Sequence, residues 1–130
     1  MSSNKNNAIG VFDSGLGGLT VVKEIMKQLP NEDVIYFGDT ARVPYGTKSK
    51  ESIVRFSKQN ISILLKHKVK MIVVACNSST SHALPVLRKT FHLPIVGVIV
   101  PGAKKAVQST RNRIVVLLDT EGCFWKALSQ

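Results

Sequence analysis

The sequence predicts an α/β domain built on a doubly wound parallel sheet flanked by helices. Three observations carry this. Short apolar, β-branched runs recur at intervals along the chain. A helical pattern separates each run from the next, which is the alternation of βαβ units. Glycine-rich or polar loops follow the first three runs, at the sheet edge where open α/β sheets bind ligands.

Ala8 to Phe12 reads as the first strand, and a glycine-rich turn leads from it into a helix over Gly17 to Leu29. Asp33 to Phe37 is the second strand, followed by a polar loop from Gly38 to Thr47. An amphipathic helix is expected from Ser49 to His67, with Val54, Ile61 and Leu65 on one face. Met71 to Ala75 is the third strand, ending at Cys76, and a single helix is expected over Ser79 to Thr90. Pro94 to Ile99 gives a fourth strand. Pro101 suits the first turn of a helix that runs to Gln108. Arg113 to Leu118 is a fifth strand, with a short helix over Phe124 to Leu128. Right-handed crossovers between parallel strands place helices on both faces.

The 130 residues are enough for one compact domain, and a composition of 44% hydrophobic and 20% charged residues fits a soluble globular protein. No apolar run is long enough for a membrane span, and polar residues 1–7 lead into a strand without a secretory h-region. Cys76 and Cys123 make neither a disulfide framework nor a spacing that binds metal, so a cytoplasmic setting is expected. The formal net charge of +10 suits a nucleic acid or an acidic partner, or else a solvated basic surface. No nucleic-acid-binding motif accompanies it.

Three loops carry the chemistry. In the first, Asp13, Ser14, Gly15, Leu16, Gly17 and Gly18 bring polar groups and flexible backbone to the sheet edge. A dinucleotide fingerprint fails because Thr20 stands where the third glycine belongs, and no Gly-Lys-Ser/Thr completes a phosphate loop. Asp13 is suited to hydrogen-bond an ammonium or to act as a base, or it belongs to a helix-capping turn. In the second loop, Arg42 offers a guanidinium to a carboxylate, and Tyr45 and the Gly46 backbone offer contacts to a small polar ligand. The third loop begins with Cys76, placed between a strand's carboxyl end and a helix's amino end, where backbone N–H groups and the helix dipole favour thiolate. A thiolate serves as a nucleophile or as a proton acceptor, and spacing leaves both open. His82, one helical turn further on, is a second base candidate or an exposed helix residue.

These loops resemble those of the glutamate racemases, a cofactor-independent family of the aspartate/glutamate racemase superfamily that acts in peptidoglycan synthesis. The resemblance rests on Gly10 to Leu19, Tyr36 to Gly46, Cys76-Asn77 and Val98 to Ala103, in that order along the chain. It implies an enzyme of two facing α/β domains, each supplying one cysteine. One thiolate removes the α-proton of glutamate while the other thiol protonates the opposite face, with no cofactor. On this resemblance Cys76 is the first-domain cysteine and Asp13 assists it. Asp13, Ser14, Tyr45, Gly46, Asn77 and Ser78 match the residues that bind substrate. A homo-oligomer is the family's expected form, and the second loop favours glutamate over aspartate.

The chain also departs from the family's pattern. Ser78-Ser79 replaces the usual Thr-Ala, a mild change that keeps a hydroxyl at Ser78. Leu117 to Cys123 matches the family's glycine- and threonine-rich turn only in part, and no second domain with a Gly-Cys-Thr-His segment follows. Cys123, followed by Phe124-Trp125, does not take the second catalytic role. The expected reading is a single domain over 1–130 carrying the first-domain half of a racemase site. The alternative is a truncated, non-catalytic binding or regulatory module associated with nucleic acid.

Overall fold

The computed structural model describes residues 5–109 and 111. Cys123, the expected fifth strand and the expected last helix lie outside the described residues. Within them, four strands form one parallel sheet: β1 (Ala8–Asp13), β2 (Val34–Gly38), β3 (Val69–Val74) and β4 (Ile95–Gly97). Their spatial order is β2-β1-β3-β4. The register runs from Ile9 opposite Val34 to Asp13 opposite Gly38 on one side of β1. On the other side, Phe12 lies opposite Val74, with an irregularity at Ala8/Ile9.

The helices are α1 (Leu19–Gln28), α2 (Lys50–Leu65), α3 (Asn77–His82), α4 (Leu84–Thr90) and α5 (Ile99–Ser109). Ser49 caps α2, accepting from Ser52 N–H at 3.2 Å. With this strand order, right-handed crossovers put α1 on one face and α2 with α4 on the other. α2 and α4 pack on each other, and α2 also packs on β1 and β3. The core between them holds Phe12, Ile53, Ile61, Leu64, Ile72, Val74 and Leu87.

Three local expectations need correction. The helix expected over Ser79 to Thr90 is two helices joined at Ala83. Pro85 has no N–H to give the carbonyl one turn back, so a continuous helix would break there. The fourth strand is only three residues, because Val98 O already accepts from Gly102 N–H and starts α5. The apolar face of α2 is also rotated from the expected one. Ile53, Ser57, Asn60, Ile61 and Leu64 are buried, while Leu65 is 39% exposed and Val54 is half-buried. Two buried positions are polar, so counting apolar residues alone misplaces the stripe.

That rotation is testable by truncation. Leu64→Ala should destabilise by about 2–5 kcal/mol through the cavity it leaves. Leu65→Ala should stay within about 0.5 kcal/mol, as surface substitutions do. Urea unfolding midpoints read the difference, and equal losses would mean that α2 presents the other face.

Candidate functional site

A sheet with order 2-1-3-4 reverses its direction of winding between its first and third strands. The crossovers leave β1 and β3 in opposite directions and open a crevice at their carboxyl ends. Asp13 is the last residue of β1, and Cys76 lies two residues beyond β3. Hydrogen bonding ties the three strand ends together. Ala75 N–H donates to Phe12 O, and Asp39 N–H donates to Asp13 O, both at 2.9 Å.

The three loops converge on this crevice. Gly18 N–H donates to Asp13 Oδ2 at 2.7 Å, folding the first loop back over its own strand. A Cβ on Gly18 would stand 2.7 Å from Asp13 Cβ and 3.1 Å from Ala75 Cβ, so only glycine allows this approach to the end of β3. Tyr36 Oη donates to Gly15 O at 2.6 Å, joining the first loop to β2. Burial raises the Tyr36 pKa above its ordinary value, and the nearby Asp13 charge adds to the effect. α3 packs against the 3₁₀ turn Tyr45–Thr47, which closes the second loop on the third.

The third loop places its thiol as expected from the sequence. Cys76 is the N-cap of α3, and its Sγ accepts from Ser79 N–H at 3.5 Å. Its carbonyl accepts from both the N–H and the Oγ1 of Thr80, each at 2.9 Å. The side chain is 4% exposed. Asp13 and Ser78 are buried, Ser14 and Gly46 are half-buried, and Asn77 is exposed.

The second loop holds a surprise. Arg42 does bind a carboxylate, but it is the chain's own. Its Nε donates to Asp39 Oδ2 at 2.7 Å, its Nη2 reaches Asn60 Oδ1 at 3.1 Å, and its Nη1 donates to Gln59. The guanidinium also lies over the Phe56 ring, 4.2 Å from its centroid. Tyr45 Oη donates to the same Asp39 carboxylate and accepts from Asn60 Nδ2 at 2.9 Å. Tyr45 is 1% exposed, so its side chain anchors the loop inward. Asp39 and Asn60 were not singled out from the sequence. Asp39 follows a strand and Asn60 sits inside a helix, and local pattern gives neither a partner.

Burial raises the Tyr45 pKa far above the ordinary value, and the hydrogen bond to Asp39 adds to this. His82 is half-buried at the end of α3, while His67 and His92 are exposed. A concave, mostly apolar strip formed by Ile99, Val100, Ala103, Lys104, Val107 and Gln108 lies along α5.

Sequence and fold comparisons agree with this fold. No family model matches the chain. Glutamate racemase of Geobacter metallireducens is 56% identical over 115 residues, 88% of this chain and 43% of that protein. Glutamate racemase of Francisella tularensis, solved with D-glutamate, superposes with a TM-score of 0.72 at 46% identity, over 79% of this chain and 40% of that one. The Escherichia coli enzyme, solved with L-glutamate and an activator, gives 0.76 at 38% identity, over 90% and 44%. By fold and sequence the chain is therefore an α/β domain similar to those of amino-acid racemases. More narrowly, it is a homologue of glutamate racemase, corresponding to the amino-terminal part of that enzyme and spanning less than half its length.

Tyr45→Phe tests the anchor. It removes one hydrogen bond each from Asp39 and Asn60 and should cost about 1–3 kcal/mol near neutral pH. An unfolded tyrosine ionises near pH 10, and the folded one only at higher pH. The native advantage of Tyr45 is therefore complete below about pH 10 and shrinks above it. Urea unfolding at neutral pH and again in that alkaline range should show the gap to Tyr45→Phe narrowing. A constant gap would mean that the buried hydroxyl ionises normally.

Proposed function

We propose that this chain carries the first-domain half of a glutamate racemase site, with Cys76 as the acid/base group for one face of the substrate's α-carbon. The observation that supports this most directly is that Cys76 and Asp13 stand at the carboxyl ends of the adjacent strands β3 and β1, at the switch point, in a chain so similar to glutamate racemases. The α-proton of an amino acid is weakly acidic, so its removal needs a base held within hydrogen-bond reach. A positioned base of this kind contributes roughly 10²–10⁴-fold.

In this reading the Cys76 thiolate takes the α-proton as the C–H electron pair passes into the carbanion, and the thiol returns a proton in the reverse direction. Asp13 assists Cys76 and, with Ser14, holds the substrate ammonium. Gly46 contributes backbone, and Asn77 and Ser78 contribute α3's first turn, where N–H groups suit a carboxylate. Tyr45 contributes by fixing the loop, because its hydroxyl already bonds Asp39 and Asn60. The reaction needs no cofactor. Production of D-glutamate for peptidoglycan, a cytoplasmic setting, a second domain and a homo-oligomeric form belong to the same proposal. Among the described residues, no helix is long and apolar enough to cross a membrane.

Solvent deuterium exchange tests it. The protein incubated in deuterium oxide with D- or L-glutamate should label the α-carbon of one enantiomer, and Cys76→Ser should abolish the labelling. Equal labelling of both enantiomers, or labelling that survives in Cys76→Ser, would overturn the one-sided assignment. If neither enantiomer is labelled and the protein binds DNA with a steep salt dependence, the binding-module alternative takes its place.

A further inference from the structure

We infer that Ser57 and Ser79 form a positioning pair that sets the ionisation of Cys76, an inference that rests on the assignment of Cys76 as the acid/base group. Ser57 lies in the middle of α2, and Ser79 lies in the first turn of α3. Both are fully buried, and their hydroxyl oxygens are 2.9 Å apart. Ser57 Oγ is also 2.7 Å from Ile53 O, one turn back in its own helix. A hydroxyl has one proton to give. Ser57 gives its proton to the Ile53 carbonyl, which leaves its oxygen to accept from Ser79.

That arrangement bears directly on the thiol. The backbone N–H that donates to Cys76 Sγ belongs to Ser79 itself. α3 has only six residues and ends at Ala83, so few of its own hydrogen bonds hold this N–H in place. The side chain of Ser79 ties it instead to α2, a sixteen-residue helix packed on the sheet. An N–H bond to a thiolate is charge-assisted and stronger than one to a thiol, so a firmly held donor favours the ionised form. Thr80 fixes the backbone of Cys76 through its carbonyl, and Ser79 N–H donates to its Sγ. Two buried hydroxyls are not needed for packing, since apolar groups of the same shape would fill such a contact at little cost.

The test reads Cys76 alone. Iodoacetamide alkylation of the full chain, followed by mass spectrometry of the Cys76 peptide, gives its rate against pH and keeps Cys123 separate. Asp13 at the end of β1, Tyr45 on the turn packed against α3, Asp39 bonded to Tyr45, Arg42 paired with Asp39, and His82 in α3 are unchanged in every variant. Ser57→Ala and Ser79→Ala should each move the alkylation midpoint up by about half to one pH unit, or roughly three- to tenfold in rate below it. The double variant Ser57→Ala/Ser79→Ala pairs two methyl groups, so its thermal unfolding should return toward that of the parent while its midpoint stays displaced. Midpoints unchanged in the folded single variants would overturn the proposal. So would a double variant that regains both stability and midpoint, because the pair would then be structural only. If the single variants do not fold, the double variant decides by the same two readings. Deuterium exchange into glutamate is a separate measurement, so failure of the racemase assignment leaves these outcomes readable.

Discussion

The reversal of winding between β1 and β3 is the constraint on which the site depends. A parallel strand cannot turn straight back on itself, and each connection must cross a face of the sheet. Here the first crossover carries the chain from β1 to β2, and the second carries it back past β1 to β3. The loops leaving β1 and β3 therefore part and open a gap between them. Asp13 and Cys76 stand at the two sides of that gap because they end the two strands concerned. The thiol is thus placed by topology first and by side-chain contacts second.

The second layer of order is polar, and it comes mainly from α2. Its buried face carries Ile53, Ile61 and Leu64 for the core, and Ser57 and Asn60 between them. Asn60 meets Tyr45 and Arg42 of the second loop, while Ser57 meets Ser79 of the third. One helix thereby holds two of the three loops at fixed height above the sheet. The design is sensitive to loss of single partners. Every buried side-chain nitrogen and oxygen among the described residues has a hydrogen-bond partner. Removing one member leaves another unsatisfied, which costs more than the bond itself contributes. Arg42 belongs to this layer as well, since its ion pair with Asp39 is partly buried and stacked on Phe56.

The sequence made the strands and the catalytic candidates legible for different reasons. β1 and β3 are apolar, β-branched and followed at once by polar residues, so their ends could be located to within a residue or two. Cys76 could be placed because strand end and helix start meet there. Other features depend on contacts between distant segments. Ser57 and Asn60 look like polar residues on an outer face of α2, and only the packed structure shows them inward. The inward turn of Tyr45 depends on Asp39 and Asn60, six and fifteen residues away. The break at Ala83 was legible in principle, because Pro85 forbids the helix that was expected. The +10 charge gave no site, since its lysines and arginines are spread along the chain rather than gathered on one element.

One consequence of a site built on a sheet edge is that it approaches its ligand from one side. All three loops leave the same edge, and Cys76 is the cysteine they carry. If the ligand is an amino acid losing its α-proton, the carbanion becomes planar and the thiol faces only one of its two faces. Inverting the centre then needs a proton from the opposite face, which this edge does not reach. In the glutamate racemases that this chain matches, more than half the length lies outside the matched region. A one-sided base and a partial match therefore lead to the same expectation. On the proposed assignment this edge would make and unmake one enantiomer's C–H bond, and racemisation would require a second acid placed on the opposite face.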